Sequence, residues 1–199
     1  MPEGDTVYRS AKNLNAALAG QVLTRCDIRV PAFATVDLTG ETIEGVASRG
    51  KHLLMHVGEY TLHSHLKMEG SWHLYRHGSK WFRPEFQARA ILGTEEFLAV
   101  GFDLGEFEVV RRDDEDSVVG YLGPDLLGDW QPEQALANLR ANPEREIGLA
   151  LLDQRNLAGL GNVYRAELCF LRGVLPGRPV GEVPELEKMV ELAWRLIDA

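Results

Sequence analysis

Cysteine is scarce in this chain of 199 residues: Cys26 and Cys169 are its only two, and they stand far apart. That excludes a disulfide framework and a clustered-cysteine metal knuckle, and it points to a reducing, cytoplasmic setting. Long apolar runs are missing, so no segment reads as a membrane span. The first residues lack the basic-then-apolar order of a secretory signal. Histidine vanishes after His77, and all six histidines lie between His52 and His77. Net basic charge is missing as well. The formal charge is −9 and the pI about 5.2, opposite to the footprint most nucleic-acid binders carry. The deficit is local. Between Lys80 and Glu133 there are 5 basic and 13 acidic residues, whereas the rest of the chain holds 16 and 17. The densest acidic run, Asp113 to Asp116, reads as a solvated loop, which leaves a polyanion-binding face open elsewhere.

What is present is ordinary globular stock, 45% hydrophobic and 26% charged, enough for one large domain or two small ones. Val7, Ala11, Leu14 and Leu18 fall on one helical stripe that Gly20 ends. Short strands follow: QVLTRCDIRV, HLLMHV, YTLHSHL, SWHLY, ARAILG and EFLAVGF, separated by Gly-containing turns. From QPEQALANLR onward the pattern is helical. Asn142 and Pro143 read as the cap and first turn of one helix, Asn162 as the cap of the next and Gly173 as its stop. Pro184 opens the last. The fold class is therefore α+β: an N-terminal helix and antiparallel β-sandwich over 1–120, a linker at 121–132, and a helical domain over 133–199.

Several stretches could carry chemistry. MPEGDT places Pro2 and Glu3 at the very start, either as a plain helix opening or as a reagent at the chain terminus. SRGKHLL puts Lys51 at the mouth of a strand, solvated or holding a phosphate. In LHSHLKMEGSW, alternation sets His63, His65 and Lys67 on one strand face and Met68 on the other. His63 and His65 with Glu69 resemble part of a cupin metal motif. A cupin needs a later histidine, and none follows His77. Met68 is either core filler or an apolar wedge for a base stack. LAGLGNVYRAE offers glycines for close backbone approach and a helix start for a phosphate, or simply a helix–loop–helix turn.

Taken together and in order, MPEG, RGKHLL, SHLKMEG and LLDQRNLAGLGNVYRAE resemble the formamidopyrimidine-DNA glycosylase and endonuclease VIII family of base-excision repair enzymes. The Pro-Glu-Gly opening is closer to the endonuclease VIII branch. The resemblance implies a β-sandwich domain joined to a helix–two-turn–helix domain, with DNA in the cleft between them. It implies a bifunctional glycosylase and abasic-site lyase that acts on oxidised bases, with pyrimidines favoured. Pro2 would be the nucleophile after removal of the initiator Met, Glu3 the proton donor, and Lys51 a phosphate grip. An α-amine with a pKa of about 7.7–8.0 keeps roughly a tenth of its molecules as free base near neutrality, far more than a lysine does. Met68 matches a residue that fills the void left by the extruded base. His65, Asn162 and Tyr164 match phosphate-contacting positions, and Lys67 matches a position near the void. Damaged DNA is then the partner of a monomeric cytoplasmic enzyme, nucleoid-associated if bacterial.

Two departures stand out. Formamidopyrimidine enzymes carry an Asp-Pro-Arg-Arg-Phe stretch supplying two further void fillers, whereas this chain reads DLGEF at Asp103 to Phe107, without arginine. The family's C-terminal four-cysteine zinc finger has no ligands in residues 1–199. The chain ends at Ala199 inside a helix striped by Leu186, Met189, Val190, Ala193 and Ile197, so the expectation is a truncation or a tail beyond it. No metal is expected in residues 1–199. The competing readings are a non-catalytic binder of damaged or single-stranded DNA and a cupin-like metal enzyme.

Overall fold

The computed structural model describes residues 1–199. The chain sorts into two compact units, and the division does not follow its linear order. The first comprises Met1, Val7–Ser48 and His52–Val118; the second comprises Pro2–Thr6, Arg49–Lys51 and Val119–Ala199.

The first unit begins in helix α1, Gly4–Leu18, whose Val7, Ala11, Leu14 and Leu18 are all but fully buried, as the stripe requires. Gly20, at φ 81°, then turns the chain where a Cβ would be strained. Eight strands follow: β1 Arg25–Ile28, β2 Ile43–Arg49, β3 His52–Val57, β4 Tyr60–His65, β5 Ser71–Arg76, β6 Ala88–Gly93, β7 Phe97–Phe102 and β8 Glu106–Arg111. They form two antiparallel four-stranded sheets, ordered β1-β6-β7-β5 and β2-β3-β4-β8. Their inner faces meet in one core that includes Ile28, Leu92 and Ala99 from the first sheet and Leu53, Met55 and Leu62 from the second. Alternation then places His52, Leu54, His56, Thr61, His63 and His65 on the other face of the second sheet, with His63 opposite Glu108 and His65 opposite Glu106.

The structure corrects three readings in this unit. Alternation does not carry Lys67 onto the His63–His65 face, because β4 stops at His65 and Lys67 turns to φ 54°. β2 and β8 go unseen in the strand pattern. The acidic run is not wholly a solvated loop: it forms a short helical turn and starts α2, Asp116–Val119, and Glu115 accepts hydrogen bonds from Thr61 (2.6 Å) and His56 (2.7 Å).

The second unit packs α3 Pro132–Arg140, α4 Ile147–Leu152, α5 Asn162–Arg172 and α6 Leu186–Asp198 around its own core. The apolar stripe of α6 is buried there, from Leu186 through Ile197. Gly173, at φ 62°, ends α5 as expected. Asn142 and Pro143 cap no helix, since α4 starts only at Ile147. Their segment pairs with 178–181 instead: Gly181 N–H donates to Pro143 O, Val180 N–H to Arg145 O and Ile147 N–H to Arg178 O, at 2.8–2.9 Å. Residues 121–132 are anchored rather than loose, with Leu122, Asp125 and Leu126 buried and Asp125 bridged to Ala158.

Candidate active site

Residues Pro2–Thr6 lie in the second unit, and glycines put them there. Gly4 N–H donates to Gly159 O at 2.8 Å. A Cβ on Gly4 would sit 2.9 Å from Gly159 Cα, so the two main chains touch as only glycine allows. Gly159 itself has φ 119°. This contact lays Glu3 across the start of α5. Its Oε2 accepts from Gly161 N–H at 2.8 Å and Tyr164 N–H at 3.3 Å, and its Oε1 accepts from Val163 N–H at 2.7 Å. Glu3 is only 4% exposed, and a Cβ on Gly161 would come within 2.7 Å of its carboxyl carbon. The helix's free N–H groups and positive end are therefore met by a carboxylate from the far end of the chain.

That arrangement corrects two expectations for LAGLGNVYRAE. Asn162 is the first helical residue and not the cap; Gly161 stands at the cap position, and Glu3 does the capping from outside. The glycines admit the protein's own terminus. Gln154 organises the same loop. Its amide donates to Leu152 O and Leu160 O, and its oxygen accepts from Gly159 N–H, each at 2.9 Å.

The other residues expected in the site divide between the two units. Pro2, Lys51, Asn162 and Tyr164 belong with Glu3 in the second. Pro2 is half-buried, and Asn162 is exposed. The Tyr164 hydroxyl donates to Asp5 Oδ2 at 3.1 Å. Lys51 is 8% exposed, and burial pushes its pKa down, while the Glu3 carboxylate pulls the other way. Lys51 follows Gly50, whose N–H donates to Asp125 Oδ2 at 2.9 Å, and Asp125 Oδ1 accepts from Leu127 N–H at 3.1 Å. Burial pushes the Asp125 carboxyl up, against those two hydrogen bonds and the charge of Arg49. Neither Asp125 nor Gln154 is marked by residue type or spacing.

His65, Lys67 and Met68 belong to the first unit. His65 is buried, and its Nδ1 accepts from Lys67 N–H at 3.1 Å, so in the neutral ring the proton resides on Nε2. Lys67 pairs with Glu106 at 2.8 Å. Met68 tops a tight turn closed by Gly70 N–H to Leu66 O at 2.9 Å and is 65% exposed, so it fills no core. One partner was invisible in the sequence. Arg83, from the β5–β6 connection, donates to Glu69 O at 2.9 Å and to Asp103 Oδ2 at 3.0 Å. The DLGEF turn lacks its own arginine and receives this one from a distant loop.

No group of three His, Cys, Asp or Glu side chains is arranged to hold a metal. The cupin-like set fails because His63 Nε2 lies 2.7 Å from His52 Nδ1, within a histidine pair. Cys26 and Cys169 are free thiols, and neither belongs to any such set.

A terminal Pro-Glu held by glycines on a helix start, on a β-sandwich followed by a helical bundle, defines a class. The chain belongs to the formamidopyrimidine-DNA glycosylase family. That family's N-terminal-domain model matches residues 1–121 and its H2TH-domain model residues 122–197. Among individual relatives, the chain is 56% identical over 204 residues to "Probable endonuclease 8 2" of Streptomyces coelicolor, covering 100% of this chain and 74% of that protein. It is 51% identical over 194 residues to "DNA-(apurinic or apyrimidinic site) lyase Nei2" of Mycolicibacterium smegmatis, covering 97% and 75%. A solved Lactococcus lactis formamidopyrimidine-DNA glycosylase, bound non-covalently to DNA containing an abasic site, shares the fold at TM-score 0.80 and 23% identity, over 98% of this chain and 78% of that one. No helix is long and apolar enough to cross a membrane.

Proposed function

We propose that this chain is a base-excision DNA glycosylase with abasic-site lyase activity, that damaged DNA is its substrate, and that Pro2 is its nucleophile. The observation that carries the reading is the docking of Glu3 on α5, which fixes a Pro-Glu terminus as a built feature. A protein that only bound DNA would have no use for a terminus held in this way. Oxidised pyrimidines are the substrates this reading assigns to it.

Met1 must first be hydrolysed off, which turns the Pro2 amide nitrogen into a secondary amine. The amine attacks the sugar C1′, the damaged base departs with its bonding electrons and takes a proton from water, and the amine's own N–H proton passes to the Glu3 carboxylate. Glu3 delivers a proton to the ring oxygen O4′, the C1′–O4′ bond opens, and an iminium forms between the proline nitrogen and C1′. A proline iminium has no N–H proton to lose, so its charge persists and acidifies C2′. Loss of a C2′ proton expels the 3′ phosphate by β-elimination, and δ-elimination can then release the 5′ phosphate. Water hydrolyses the imine and restores the amine. Lys51 holds a phosphate beside the lesion with a charge that little solvent screens. His65, Asn162 and Tyr164 position the backbone, Lys67 lies near the void, and Met68 fills the space left by the extruded base, whose unstacking costs a few kcal/mol.

In this division of labour residues 1–120 carry the catalytic sandwich, 121–132 link, and 133–199 supply the DNA-binding helices. The enzyme works as a monomer in the cytoplasm. Borohydride reduction of enzyme mixed with a duplex bearing one abasic site tests the proposal. The expected result is a covalent complex whose modified residue maps to Pro2. A complex mapped to a lysine, or none from protein whose Met1 has been removed, would overturn it.

A further inference from the structure

The connection between β5 and β6 is a basic and aromatic surface on an acidic chain. From Ser71 to Leu92 four basic residues stand against one acidic residue, Glu85, which is itself tied to Arg29 at 2.9 Å. Two rings at this connection face solvent. Phe82 is 77% exposed and Phe86 76%, beyond what burial or packing asks of a phenylalanine. Yet the loop is held. Phe82 N–H donates to the Tyr75 hydroxyl at 2.8 Å, and its ring stacks on His73 at 5.5 Å. Tyr75 in turn stacks on Trp81 at 6.1 Å, and Trp81 meets Phe102 edge-on at 5.9 Å.

The next residue ties this loop to the Met68 turn. Arg83 bonds Glu69 O on one side and Asp103 on the other, while Asp103 N–H donates to Gln87 O at 2.9 Å. The turn at 66–70, the connection at 80–87 and the turn at 103–105 are thereby locked together, and they present Met68, Phe82 and Phe86 to solvent.

We propose that Phe82 and Phe86 are a stacking platform for the bases of the DNA that Met68 enters, held in place by Arg83. The platform rests on the function proposed above and extends it to residues outside the reaction. An aromatic face accepts any base, which suits an enzyme that must test many sequences, and the surrounding positive charge favours a strand over a protein partner. A ring already fixed by its neighbours loses little conformational freedom on stacking.

The test uses a labelled duplex carrying one tetrahydrofuran abasic analogue, which cannot form the imine, so anisotropy reads binding alone. The double variant Phe82→Ala/Phe86→Ala should bind about tenfold more weakly, within the range for losing a base–aromatic stack. Its borohydride trapping rate on a true abasic site, at saturating enzyme, should match the wild type. Phe82→Tyr should retain wild-type affinity, and Arg83→Met should reproduce most of the loss with both rings still present. Affinity within twofold of wild type in the double variant would overturn the proposal. So would a wild-type self-association, seen by sedimentation, that the double variant abolishes without weakening DNA binding. Failure of the function itself looks different: the wild type would then give no trapped complex at all.

Discussion

The two units hold their working parts by different means. In the second, main-chain groups do the holding: Gly4 against Gly159, and three α5-entry N–H groups on Glu3. In the first, side chains do it: Arg83 across two turns, and Lys67 against Glu106. Main-chain contact closed by the 2.8 Å Gly4–Gly159 hydrogen bond leaves no slack, because a backbone cannot rotate away from an intruding methyl group. A side-chain clamp can be lost while the turns beneath it persist. The proposed chemical site should therefore fail abruptly under small changes, and the turns around Met68 should fail gradually.

The largest expected effect comes from Glu3→Gln. In the proposed mechanism the amide cannot donate the proton that opens the sugar, and its NH2 group faces N–H groups in place of an acceptor oxygen. Removal of a damaged base should fall about a thousandfold, within the range of a lost general acid. Cleavage of a preformed abasic site should fall far less. Comparing the two single-turnover rates checks this, and equal losses would assign Glu3 a purely structural part.

Gly4→Ala sharpens the comparison without touching any reacting atom. The new Cβ would meet Gly159 Cα at 2.9 Å and Gly159 O at 3.0 Å, so the terminus must shift. A shift of about 1 Å lowers the rate on the order of a hundredfold. The trapping rate at saturating DNA should show that loss while DNA affinity changes little. A trapping rate near wild type would mean that the terminus tolerates displacement, and the contrast between backbone and side-chain holding would fail.

How much of this was legible in the sequence depends on range. The α1 stripe, the Gly173 stop and most strands follow from residues within a few positions of one another, and they were readable. The Pro2-Glu3 opening was readable as a helix start or as a reagent at the terminus. Its docking on α5 was not, because the capping carboxylate comes from the other end of the chain and local rules nominate Asn162 instead. Pro143 and the charged residues after it imitate a helix start, yet a ladder with 178–181 takes that segment. β2, sequence IEGVASR, hides because Gly45 and Ser48 break its alternation. Arg83 gives no local sign that it will serve the Asp103 turn; only the fold brings the two together.

The smallest effect concerns the first unit's histidine face and leaves catalysis aside. His52 and His63 share a 2.7 Å hydrogen bond, and their rings stack at 4.9 Å. Burial, then the charges of His63 and His65, push His52 down to about 3; Lys67 adds to this and Glu106 opposes it. Burial also pushes His63 down, against Glu108, Glu106 and Glu115. In the unfolded chain both rings take up protons near the ordinary histidine value of 6.5. Below that pH the unfolded state binds more protons than the folded state, so stability falls as pH falls. Each such histidine contributes a slope of about 1.4 kcal/mol per pH unit once the unfolded ring is fully charged. Urea unfolding between pH 6.5 and 5 isolates the effect, because carboxylates with an ordinary value of 4.5 stay mostly ionised there. The wild type should lose stability steadily over this window, and a His52→Leu/His63→Leu variant should show a clearly flatter profile. An unchanged slope would mean that these rings accept protons in the folded state and that the sheet face is open to water.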